Sequence, residues 1–271
     1  MPALALKLIL APVLIGGASL VARRWGPAVA GWLVGLPLTS GPVAFFVAVE
    51  QGIPFAVDVG LAVLAGGFAL CAFAIVYART AAAGVGPPAA LAAASVVYVG
   101  AAAALGGLGG PGPEGLPALV AAVALGLVAT LRILPSMPAA GPAARPPRWD
   151  LPARIIVGTL LIVVLTTMAP ILGPRASGLV STYPVYLSTL TFFAHRQVGP
   201  AGVTAMQRGL VLGLFGWLAF WTALIVVMPA AGVALGFAAA IAAALATQGL
   251  SFRVLGPSTS GAVAEVGEVV P

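Results

Sequence analysis

Apolar residues in this chain run together in blocks, and the blocks are about as long as the roughly 20 residues a helix needs to cross a bilayer. They fall at 3–21, 27–49, 59–78, 88–107 and 116–134, then at 154–173, 176–195, 208–228 and 231–249. The pattern predicts an all-α polytopic membrane protein of nine transmembrane helices, because helices satisfy their own backbone in a medium that offers no hydrogen bonds. The longest internal break runs from Pro135 to Arg154 and is rich in proline and arginine. On this reading residues 1–107 form a first four-span unit and 108–153 a linking helix with a cytoplasmic loop. Residues 154–250 form a second four-span unit, and 251–271 a cytoplasmic, disordered tail. Lys7 ahead of an apolar stretch ending Ser19-Leu20-Val21-Ala22 also fits a cleaved signal peptide. The repeat below supplies a counterpart for this segment, so it is read as the first span.

Composition sharpens the class. The 271 residues are 61% hydrophobic and 7% charged, with a mean hydropathy of +1.15, against about 25% charged in soluble domains. A water-soluble fold is excluded. A net charge of +6 would point to nucleic acid in a soluble chain, but here the basic residues stand singly between apolar blocks and read as topology signals. With nine spans, one face collects Arg23, Arg24, Arg79, Arg132, Arg145, Arg148, Arg154, Arg196, Arg208 and Arg253. The other holds Lys7 and Arg175 with Glu50, Asp58 and Glu114. This asymmetry predicts an outside N-terminus and a cytoplasmic C-terminus, with Trp25 and Trp149 as interfacial anchors. The lone Cys71 offers no disulfide framework. No HExxH, CxxC, P-loop or intramembrane carboxylate pair is present, so no enzyme activity, metal or cofactor is expected.

The two halves resemble each other. Displacing Gly26–Gly52 by 147 residues onto Gly173–Gly199 matches Gly26-Pro27, Gly31, Pro37, Phe45-Phe46 and Gly52 with Gly173-Pro174, Gly178, Pro184, Phe192-Phe193 and Gly199. With one linking helix between the units, the second enters the bilayer from the opposite face. That predicts two inverted four-helix repeats, the arrangement of many secondary transporters.

The matched second and seventh spans each carry a proline near the middle, which removes a helical hydrogen bond and breaks the helix. Freed backbone at that depth is tolerated where it is buried in protein or lines a cavity. The candidate solute-binding residues are therefore Pro37, Thr39, Ser40, Gly41 and Pro42 in one break, and Thr182, Tyr183, Pro184, Tyr186, Ser188 and Thr189 in the other. The plain alternative is a packing kink in which hydroxyls bond their own helix carbonyls. No charged residue falls at a span centre, which suits a neutral or weakly polar solute. Glu50 and His195 lie at the mouths of the two broken spans and are candidates for coupling to a proton or cation.

The stretch from Ala176 through Tyr183-Pro184 and Phe192-Phe193-Ala194-His195 to Gly199 resembles the GlpM-like small bacterial inner-membrane proteins. The segment Ala30-Gly31 to Leu36-Pro37 is similar to a diverged copy, with Ala48 where the second half has His195. The resemblance implies a fused, inverted tandem of such units in a bacterial inner membrane and names no substrate. Together these features predict a permease working by alternating access in the lipid bilayer, either alone or as a homo-oligomer, with no nucleic-acid partner. A channel, a lipid-handling protein and a non-catalytic membrane subunit are the alternatives.

Overall fold

The computed structural model describes residues 2–38, 40–107, 112–136, 149–160, 164 and 183–255. Every regular element among them is helical: α1 (Pro2–Val34), α2 (Ser40–Gln51), α3 (Ile53–Ala82), α4 (Pro87–Gly107), α5 (Leu116–Ile133), α6 (residues 150–160), α7 (Val185–Val198) and α8 (Pro200–Leu255). Ile53–Ala82, Pro87–Gly106, Leu116–Ile133 and Pro200–Arg253 are each long and apolar enough to cross a membrane. Their outward faces carry exposed Val96, Leu125, Leu245 and Leu250, a surface that lipid covers and water would not tolerate. The protein is membrane-embedded and all-helical in its described residues.

α8 cannot lie straight across a bilayer. Its 56 residues would reach about 84 Å at 1.5 Å per residue, against a hydrocarbon core of about 30 Å. It folds instead at Gly232, whose φ of 81° and ψ of 174° suit glycine alone. A Cβ on Gly236 would touch the Met228 backbone, and one on Gly216 would meet Gln248 and Ala244. In a straight helix, positions eight apart are about 12 Å from each other. α8 is thus a hairpin of two arms, α8a (200–231) and α8b (233–255).

The same one-residue turn occurs at Gly26 inside α1, at Gly52 between α2 and α3, and at Gly199 between α7 and α8, with φ of 87°, 89° and 78°. A proline follows each within two positions, at the start of the next helix where a missing N–H costs nothing. The apolar window began this span at 208, yet α8 starts at Pro200. Gln207 and Arg208 lower the local hydropathy without interrupting the helix.

α3 lies at the centre, packed on α2, α4, α5 and α8. It runs antiparallel to α8a: the Gly60 position faces Ile225 and Trp221, while Gly67 faces Trp217. The first arm of α1 (2–25) is likewise antiparallel to α6, with Gly16 against Ile155 and Arg23 paired to Asp150. The second arm (27–34) runs parallel to α8a at the closest approach in the described residues. A Cβ on Gly209 would overlap the Ala28 carbonyl oxygen, one on Gly31 that of Met206, and one on Gly213 that of Trp32. These small-xxx-small faces let two backbones touch, as membrane helices do where no hydrophobic effect drives them together.

Candidate functional site

The first break sits between Val34 and Ser40, with residues 35–38 non-helical. The Pro37 carbonyl accepts from the Gly41 amide at 2.8 Å and so starts α2. Gly41 is buried beside Phe220, and Ser40 and Pro42 are half-buried. Thr39 lies outside the described residues. The second break precedes α7: Pro184 caps the helix and accepts from the Ser188 amide at 2.9 Å. Thr182 lies outside the described residues. α2 packs on α3 and α8, whereas α7 packs on α1, α4 and α8.

A polar seam runs from the second break down α7. The Tyr183 hydroxyl bonds Ser188 Oγ at 3.0 Å and Ser95 Oγ at 2.6 Å, and its ring stacks edge-on against Phe73 and Tyr98. Ser188, Thr191 and His195 follow at helical spacing on one face of α7, all buried. Gln207 Nε2 donates to Thr191 Oγ1 at 3.1 Å, and the Tyr77 ring meets His195 edge-on at 5.8 Å. Tyr77 OH, His195 Nδ1 and Gln207 Oε1 are buried with no hydrogen-bond partner among the described residues. Each such atom costs about 1–3 kcal/mol unless water or a ligand reaches it, so the seam has unfilled hydrogen-bonding capacity. Thr189 behaves differently and donates to the Val185 carbonyl of its own helix at 2.9 Å. Tyr186 is half-buried.

The seam ends among arginines. Asp150, 1% exposed, accepts from Arg23 at 2.8 Å and from Arg154 at 3.0 Å, and also from Gln197 Nε2. Arg154 in turn donates to Gln197 Oε1 at 2.7 Å and lies over the Phe193 ring. Arg79 caps the Ile133 carbonyl and Arg208 that of Leu134, both at 3.2 Å. Beside His195 and Arg196 opens a cleft of about 460 Å³ between the α3–α4 and α7–α8 turns. Glu50 is exposed at the far end of α2 from the Pro37 break. Arg145, Arg148 and Arg175 lie outside the described residues.

Sequence patterns alone missed Ser95, Thr191 and Gln207. The spacing of Ser188, Thr191 and His195 on one helical face was the available signal. Comparison with family models, curated proteins and solved structures finds no match. Hydroxyls, an amide and an imidazole along one buried stripe offer hydrogen bonds to a polar group from mid-bundle to the arginine-rich end.

Proposed function

We propose that the protein is a permease that moves a small solute by alternating access, built as two inverted four-helix units in a bacterial inner membrane with its N-terminus outside. The antiparallel pairing of α3 with α8a carries this reading. Displaced by 147 residues, α3 would cover 200–229, and α8a covers 200–231. By the same shift α4 would cover 234–254 against 233–255 for α8b, and α2 187–198 against 185–198 for α7. Gly52 and Gly199, matched by that shift, adopt the same turn. A pseudo-two-fold axis in the membrane plane relates segments in this way and makes inward-open and outward-open states near mirror images.

The solute site lies at the breaks marked by Pro37 and Pro184, with Tyr183 and Ser188 as its best-placed contacts. Its hydroxyls suit a neutral or weakly polar solute, and Glu50 and His195 stand at the two mouths as coupling groups. The likeness to GlpM-like proteins fits a fused tandem with this architecture.

Saturable flux of a small-solute panel into vesicles carrying the purified protein tests the reading. Tyr183→Phe and Ser188→Ala are expected to cut that flux about tenfold, the loss of one or two polar contacts. Equal flux in wild type and variants contradicts the site, and flux that never saturates contradicts alternating access in favour of a channel. The internally bonded Thr189 favours a second reading, a non-catalytic membrane subunit, which predicts no flux and stable co-purification with a partner.

A further inference from the structure

We propose that the cleft at the arginine-rich end binds a phosphate group, and that it does so whether or not solute crosses the protein. At about 460 Å³, the cleft falls within the 300–1,000 Å³ typical of ligand sites. Two helix starts line it: Gly86-Pro87 opens α4 and Gly199-Pro200 opens α8. The first i→i−4 bonds of these helices run from Ala90 to Gly86 and from Val203 to Gly199. The amides of Ala89, Ala201 and Gly202 therefore precede the ladder and have no intrahelical acceptor. The starts of α4 and of the arm α8a carry partial positive charge at these ends, where anions settle.

Two side chains add independent donors. Arg196 lines the cleft, exposed, with a guanidinium fork that matches two phosphate oxygens. His195 lines it too, 8% exposed, with Nδ1 unpartnered among the described residues. No carboxylate is among the described residues that line the cleft. The nearby Asp150 has both oxygens occupied by Arg23, Arg154 and Gln197. Two helix starts, a fork and an imidazole border this space, and no described lining residue is acidic. That donor set fits a tetrahedral oxyanion better than a neutral solute.

His195 is the single histidine of the chain, so its ring nitrogens give an unambiguous NMR signal in ¹⁵N-histidine-labelled protein. The full chain is placed in phosphatidylcholine nanodiscs and titrated with inorganic phosphate, and separately in nanodiscs containing phosphatidic acid. The site predicts a saturable shift of the His195 nitrogens, about tenfold weaker in Arg196→Gln and unchanged in Arg253→Gln. A shift with inorganic phosphate identifies a free anion as occupant. A shift produced only by phosphatidic acid and lost in Arg196→Gln identifies a lipid headgroup in the same site. No shift from either source at millimolar phosphate, or an equal response in Arg196→Gln, overturns the proposal.

Discussion

Asp150 is the acid around which the arginine-rich end is assembled, and its neighbours show what one side chain decides in an apolar bundle. Arg154 is 3% exposed and leans on Asp150, whereas Arg23 keeps about a third of its surface. Removing one partner of a buried pair leaves an uncompensated charge, at about 3–5 kcal/mol, while an exposed pair contributes about 0–1 kcal/mol. Asp150→Ala is thus expected to lower the melting temperature in detergent sharply and Arg23→Gln only slightly. Equal melting curves for the two variants would refute the buried role. Sequence reading assigned Arg23 and Arg154 to one face as topology signals and passed over Asp150, which lies 127 positions from Arg23. From the break it singled out Pro184, Tyr183 and Ser188 as candidates. It passed over Ser95, because a lone serine inside an apolar helix gives no sign of what it faces.

Among the helices, glycine sets the geometry twice over, at the hairpin turns and at the crossing of α1 with α8a. The Gly209 position has backbone where a Cβ would go, while Gly66 has nothing within 4 Å. Gly209→Ala is expected to destabilise by about 1–3 kcal/mol through overpacking. Gly66→Ala is expected to be neutral or to stabilise by up to about 1 kcal/mol through helix propensity. Thermal unfolding followed by size-exclusion chromatography separates the two, and a Gly209→Ala protein as stable as Gly66→Ala would contradict the crossing. The helices themselves were legible as apolar blocks. Their packed faces were not, because lipid and protein interior are equally apolar and leave no contrast along the helix. The 31/35 and 209/213 glycine spacings carried that missing information. The roughly two extra turns of α8 before position 208 were hidden by polar residues that are helical and buried, such as Gln207.

Over the whole molecule, Arg23, Arg79, Arg154 and Arg208 gather at the end where α3, α5, α7 and α8a meet, bonding carbonyls, Asp150 and Gln197. The exposed Glu50 stands beside the Gly52 turn. Charge scarcity makes this segregation readable, since a bilayer admits so few charged residues that each one reports its depth. The glycine turns at Gly52 and Gly199 are matched across the halves, and inverted halves require those two to face opposite sides of the membrane. The most direct test labels single cysteines beside them, Gln51→Cys and Arg196→Cys, both exposed, in a Cys71→Ala background. A membrane-impermeant maleimide is applied to intact spheroplasts and to inverted vesicles. Inverted halves predict that Gln51→Cys reacts only in spheroplasts and Arg196→Cys only in inverted vesicles. Labelling of both from the same side would contradict the inverted architecture and, with it, the alternating-access reading built on it.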